Sequence, residues 1–250
     1  MKTMKYIGII PARYGSTRFP GKPLVEIKGK PMIQRTWEQA KKALEHVLVA
    51  TDDDRIRQAV ESFGGKAVMT SADHCSGTDR CAEASSILSS SGYEHDVVIN
   101  IQGDEPFIHP DQITLLAGCF EDAGVEIATL VKEIETEEDI FNPNLPKVIF
   151  NKNHFAIYFS RSPIPYIRGK DHGEWLNSHK FFRHIGMYGY RSGTLQQITK
   201  LGPSSLEQAE MLEQNRWLEN GYPIKLKKTT LKTEGVDTPE DLERLNGKSR

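Results

Sequence analysis

Five short runs rich in Val and Ile punctuate the first half of the chain: Tyr6 to Ile10, Val47 to Ala50, Ala67 to Met69, Val97 to Ile101 and Ile127 to Val131. Apolar runs of this length read as parallel core strands, because a strand with one wet face would alternate with polar residues. Between them lie amphipathic stretches. Ile33, Trp37, Ala40 and Leu44, then Ile56, Val60 and Phe63, recur at the spacing of a helix with one buried stripe. This alternation predicts an α/β fold built on a doubly wound, mostly parallel sheet. Asp52 to Asp54 offer an N-cap to the second helix, Gly64 and Gly65 a C-cap, and Pro110 suits a first helical position before Ile113, Leu116 and Phe120.

From Val148 the pattern becomes a hairpin: Val148 to Phe150, an Asn-Lys-Asn turn, then Phe155 to Ser160. A stretch rich in Pro, Gly and charge from Arg161 to Lys180 reads as a mobile loop. A strand is expected from Phe182 to Tyr190, a helix from Leu206 to Asn220 stopped by Gly221, and a strand from Ile224 to Leu231. Thr238, Pro239 and Asp241 form a capped start to a last short helix.

The formal net charge of −2 gives no general attraction to nucleic acid or anionic lipid, so any anion site must be built locally. Cys75, Cys81 and Cys119 are odd in number and lack paired spacing, which fits free thiols in a reducing cytoplasm. The apolar run near the N-terminus is too short to span a bilayer, so no membrane insertion is expected. Adjacent Asp73, His74 and Cys75 are poorly placed to share one zinc ion. Lys225, Lys227, Lys228 and Lys232 alternate with other residues as on a lysine-protected sheet edge, rather than forming a nucleic-acid patch.

The loop after the first strand, Pro11 to Lys22, carries Arg13, Arg18 and Lys22 among small residues. It sits where an open α/β sheet binds ligands, and its cations suit a triphosphate. It is neither a Walker loop, since five residues separate Gly15 from Gly21 and Pro23 follows Lys22, nor a GxGxxG fingerprint. The bland alternative is a solvated surface loop. Asp104 follows the Val97 to Ile101 strand, and Asp237 lies between a strand and a helix. Both are candidate Mg²⁺ ligands, with Glu105 and Glu210 as further possibilities, although the two aspartates also suit a turn and a helix cap.

Seven segments in order, RYGSTRFPGK (13 to 22), SGTDR (76 to 80), QGDEP (102 to 106), SRSPIP (160 to 165), HIGMYGY (184 to 190), MLEQNR (211 to 216) and GVDTPEDL (235 to 242), resemble the CMP-Kdo synthetases across essentially the whole chain. The resemblance implies a cytidylyltransferase that joins CTP to 3-deoxy-manno-octulosonate (Kdo), giving CMP-Kdo and diphosphate for lipopolysaccharide assembly. It implies nucleotide contacts from Ala12, Arg13, Gly15, Ser16, Lys22, Gly77 and Arg80, and catalytic roles for Arg13, Lys22 and Asp104. Gln102, Arg161, His184, Tyr188 and Glu213 would hold the sugar, and Asp104 and Asp237 the magnesium. Each sugar candidate also has an ordinary structural reading, His184 as a satisfied strand histidine in particular. The implied organisation is a single nucleotidyltransferase-like domain. Residues 1–145 would form its CTP-binding part, 146–190 a hairpin, loop and sugar lobe that also makes a homodimer contact, and 191–250 the return to the core. Asn215 departs from the family pattern, which is usually apolar there. A cytidylyltransferase for sialic or another nonulosonic acid, or a non-catalytic nucleotide-binding regulator, remains an alternative.

Overall fold

The computed structural model describes residues 4–15, 19–232, 235–236, 238–245 and 247. Its strands are β1 (Tyr6–Ala12), β2 (Glu26–Ile27), β3 (Lys30–Pro31), β4 (Val47–Thr51), β5 (Lys66–Met69), β6 (Val97–Asn100), β7 (Ile127–Glu133), β8 (Lys147–Phe150), β9 (Ala156–Ser160), β10 (Phe182–Arg191) and β11 (Ile224–Lys228). Its helices are α1 (Met32–Ala43), α2 (Asp54–Ser62), α3 (Gly77–Ser90), α4 (Pro110–Ala117), α5 (Glu137–Phe141), α6 (Trp175–Ser178), α7 (Ser192–Ile198), α8 (Ser205–Glu210), α9 (Gln214–Glu219) and α10 (Pro239–Leu245). The main sheet runs β11-β7-β10-β6-β1-β4-β5, with β10 antiparallel to both neighbours and the β8–β9 hairpin joined to its end.

Both faces of this sheet are covered, which is why its strands lack polar alternation. Ile10, Val49, Val97 and Ile99 pack with Ile33, Ile56 and Ile113 on one face. Ile7, Ile9, Leu48 and Val98 pack with Cys81, Leu195 and Trp217 on the other. The caps form where the chemistry places them. Asp53 accepts from the Arg55 N–H to start α2, and Gly64, at φ 80, turns the chain out of that helix. Pro110 opens α4 behind a His109 cap. Among the described residues no helix is long and apolar enough to cross a membrane.

Four readings of the sequence need correction. β5 is a sheet-edge strand with Met69 exposed, rather than a core strand. The strand expected to reach Leu231 ends at Lys228. Residues 161–180 are not a bare loop: they carry α6, whose Trp175 is buried with Ile134, Ile140 and Phe181 in a small core of its own. The helix expected over 206–220 is two, α8 and α9, because Met211 adopts a left-handed conformation at φ 51. Side chains hold that corner against the β8–β9 hairpin. The Glu210 carboxylate accepts from the Tyr158 hydroxyl at 2.9 Å, the Ser160 hydroxyl at 2.6 Å and the Arg161 N–H at 2.9 Å. Fully buried Asn215 donates to the Phe159 carbonyl at 3.0 Å and accepts from its N–H, so its amide completes the backbone pairing of β9.

Candidate active site

At the carboxyl ends of β1 and β6, a cleft of about 250 Å³ is lined by Pro11, Ala12, Arg13, Lys22, Pro23, residues 74–77, Arg80, Gln102, Gly103 and Asp104. Two glycines let its walls converge. Gly21, at φ 71, turns the loop back and donates its N–H to the Tyr14 carbonyl at 2.9 Å. At Gly103 an added Cβ would stand 3.0 Å from the Pro11 carbonyl, so glycine lets the two strand ends approach without crowding. Buried Lys22 then reaches across the cleft and donates to Asp104 at 2.8 Å. The Asp104 carbonyl accepts from the Val236 N–H at 2.9 Å, which brings the penultimate segment to the same wall.

The opposite wall is the N-terminus of α3. Ser76 caps it, accepting from the Asp79 N–H at 3.1 Å, and the free N–H groups of such a helix end favour an anion. Arg80, one turn in, is 3% exposed. Its guanidinium donates to the Asp52 carboxylate at 2.9 Å and to the Thr70 hydroxyl at 2.6 Å, so the cation is fixed by the ends of β4 and β5 before any ligand arrives. His74, also in the cleft wall, is tied to Glu83.

A second group of residues gathers beyond Gln102. That side chain donates to the Gly186 carbonyl at 3.0 Å, bridging the cleft to an irregularity in β10 between Ile185 and Tyr188. Such an irregularity re-aims the side chains around it. The His184 ring sits 3.0 Å from the Thr129 hydroxyl, against Phe159 and Tyr188, and these surroundings push its pKa down to about 3. It is therefore a neutral imidazole near pH 7, able to donate or accept but not to carry charge. Among the described residues the buried Tyr188 hydroxyl finds no hydrogen-bond partner, and burial raises its pKa. Glu213 accepts from the Thr78 hydroxyl at 2.7 Å, and burial raises its pKa also.

The cleft thus brings together Ala12, Arg13, Lys22, Gly77, Arg80, Gln102 and Asp104. Gly15 does not line it. Ser16 and Asp237 lie outside the described residues. Gln102 and Thr78 connect the cleft to β10 and Glu213. Arg161 stands apart from the cleft lining, and its guanidinium donates to the carbonyls of Glu210 (2.7 Å), Pro143 (2.9 Å) and Met211 (3.3 Å). Glu210, a possible metal ligand by sequence, has its carboxylate engaged by the hairpin instead. Sequence reasoning gave Asp52 only a capping role and Thr78 only a place in a motif, and it passed over Thr70. The Ser76-x-x-Asp79 spacing, which announces a helix start, was the available signal for Thr78.

The open sheet gathers cations and, among the described residues, the Asp104 carboxylate at its carboxyl edge, and solved structures of nucleotidyltransferase type share this fold. One from Anaerococcus prevotii, a 4-diphosphocytidyl-2C-methyl-D-erythritol synthase, aligns over 98% of this chain and 95% of its own with a TM-score of 0.62 at 10% identity, which bears on the fold alone. The cytidylyltransferase family pattern matches residues 7–230, and the chain belongs to that family. It is 60% identical to the 3-deoxy-manno-octulosonate cytidylyltransferase of Parabacteroides distasonis and 55% identical to that of Bacteroides thetaiotaomicron, with 96% of each chain covered in both cases. A solved CMP:2-keto-3-deoxy-manno-octonic acid synthetase complexed with CTP superposes with a TM-score of 0.88 at 44% identity, over 97% of each chain.

Proposed function

We propose that this chain transfers the cytidylyl group of CTP to the anomeric hydroxyl of Kdo, giving CMP-Kdo and diphosphate, for bacterial lipopolysaccharide synthesis in the cytoplasm. The observation that carries the reading is the convergence of Arg13, Lys22, Arg80 and Asp104 on one cleft at the sheet's carboxyl edge, in a chain 60% identical to an enzyme of that name. In this reaction the sugar oxygen forms a bond to the α-phosphorus as the bond from that phosphorus to the diphosphate oxygen breaks, and the hydroxyl proton leaves to solvent or a nearby base. The α3 N-terminus and Arg13 receive the nucleotide, while Lys22 offsets the charge that builds on the departing diphosphate. Gln102, Tyr188 and neutral His184 read sugar hydroxyls, and the Tyr188 hydroxyl, unpartnered among the described residues, supports that role. Arg161 has guanidinium N–H groups beyond those given to carbonyls, which suit the sugar carboxylate.

Magnesium belongs to the proposal. Asp104 offers a carboxylate, its side chain 40% exposed, beside the cleft. That donor set fits a hard cation that takes one or two carboxylates and completes its shell with phosphate and water. Bound there with the triphosphate, magnesium would supply positive charge at the phosphate oxygens. Asp237 is the proposed second ligand. We also propose a homodimer through the hairpin lobe, supported by the exposure of Ile157 and Tyr166 on that lobe and the loop that follows it.

The test crosses CTP, ATP, GTP and UTP with Kdo, sialic acid and simple sugar phosphates, with and without magnesium, and reads diphosphate release. Release confined to CTP with Kdo supports the proposal. Release with sialic acid instead would reassign the acceptor, and no release with any acidic sugar would leave a nucleotide-binding protein. Light scattering of the purified chain reads the oligomeric state, and a monomer at micromolar concentration would remove the dimer.

A further inference from the structure

A backbone bond from the Gly21 N–H to the Tyr14 carbonyl at 2.9 Å closes the base of the phosphate-side loop. The Tyr14 ring fills the space a side chain at position 21 would need, since an added Cβ there would lie 3.2 Å from ring atoms. The next residue is Lys22, which crosses the cleft to Asp104. Tyr14 is in turn covered from α2, where the Arg55 guanidinium carbon stands 3.3 Å from the ring centroid. Arg55 is itself fixed by Asp53, which accepts from two of its guanidinium nitrogens at 2.9 and 2.6 Å and from its backbone N–H at 2.9 Å. The Asp53 carboxylate neutralises the cation, so Arg55 contributes a flat, anchored surface more than a field. Neither Arg55 nor Asp53 lines the cleft.

We infer that Arg55 is a positioning residue for the nucleotide: stacked on Tyr14 and pinned to the α2 cap, it holds the base of the phosphate loop so that Lys22 and Arg13 face the cleft. The inference rests on the CTP reading above and adds a residue remote from the ligand. It predicts an effect on the CTP side of the reaction, on nucleotide affinity and through Lys22 on kcat, without one on the affinity for the acidic sugar. Lysine at position 55 keeps the charge but loses the plane, so it does not substitute.

The experiment measures KM for CTP, KM for Kdo and kcat in the full chain for Arg55→Ala, Arg55→Lys, Tyr14→Leu, Tyr14→Phe and the double change R55A with Y14L. Arg55 is exposed, so its loss leaves the fold intact, and circular dichroism verifies this. We expect Arg55→Ala and Tyr14→Leu each to raise KM for CTP about two- to fivefold, the scale of one exposed cation–ring contact, and to lower kcat by no more than that factor, with KM for Kdo unchanged. Arg55→Lys should behave like Arg55→Ala, Tyr14→Phe like the parent, and the double change no worse than the worse single one. An unchanged KM for CTP in Arg55→Ala, or additive losses in the double change, would overturn the role. Lys22→Ala, run alongside, separates the failures: if it also leaves CTP affinity untouched, the nucleotide reading itself falls, and if it alone weakens CTP, only the part given to Arg55 does.

Discussion

The Thr78 hydroxyl donates to Glu213 at 2.7 Å, joining the first turn of α3 beside the cleft to the corner between α8 and α9. The contact is local in space and 135 residues long in sequence. Two effects compete at this carboxyl: the hydrogen bond favours the anion, and burial disfavours it. Burial wins, so the pKa is raised above its ordinary 4.5.

Folding therefore favours protonated Glu213. Its contribution to stability is present below about pH 4.5 and is lost as pH rises through the raised folded-state value. Glu213→Gln, whose amide oxygen can still accept from Thr78, is expected to melt higher than the parent at about pH 8, to lose that advantage at about pH 4, and to have a raised KM for Kdo. Equal melting temperatures at the higher pH would contradict the buried-carboxyl account.

His184 acts in the opposite direction. Its folded-state pKa, about 3, lies below the ordinary 6.5, so the stability it confers is present above about 6.5 and is lost as pH falls toward 3. Urea midpoints should drop between about pH 7 and pH 5 in the parent and drop less in His184→Gln. Parallel declines in the two proteins would assign the acid sensitivity to other groups.

Asp52 holds a cation with almost no exposure. Asp52→Ala leaves Arg80 buried without its carboxylate, and a broken pair of this kind costs about 3–5 kcal/mol. Asp52→Asn retains an acceptor and should cost less. Chemical denaturation measures both stabilities, and CTP titration should show weaker binding in each variant, since Arg80 lines the cleft.

Asn215→Leu is expected to destabilise by about 1–3 kcal/mol because the Phe159 N–H and carbonyl lose their buried partner. A neutral or stabilising result would mean that the hairpin edge finds other partners.

Asp104→Asn removes the carboxylate beside Lys22, at a side chain 40% exposed. Stability should fall by about 1–3 kcal/mol, less than for Asp52→Ala, because buried Lys22 loses a charged partner but keeps a neutral acceptor. Turnover should fall about 10²-fold or more, with a weaker response to added magnesium, if this carboxylate serves the transition state. Retained turnover would exclude it.

Periodicity sufficed for the β1, β4, β6 and β7 strands and for α1, α2 and α4, since a strand covered on both faces and a helix with one apolar stripe each write their burial into the local sequence. The α3 helix escaped it: small residues such as Ala82, Ala84 and Ser85 are buried there, so no stripe of large side chains marks the buried face. The same limit hid the break at Met211, because the helical pattern of residues 206–220 continues across a corner imposed by Glu210, Asn215 and the β9 edge.

The loop cations and Asp104 were legible as residue types at strand ends, where an open sheet leaves room for a ligand. Their meeting was not. Lys22 and Asp104 touch only because β6 pairs beside β1 and Gly103 admits the Pro11 carbonyl, and Thr78 finds Glu213 only once two distant helices pack together. Local chemistry chose the elements, whereas partners separated by 82 or 135 residues were decided by how those elements pack, because hydrogen bonds act over about 3 Å and sequence spacing does not measure that distance.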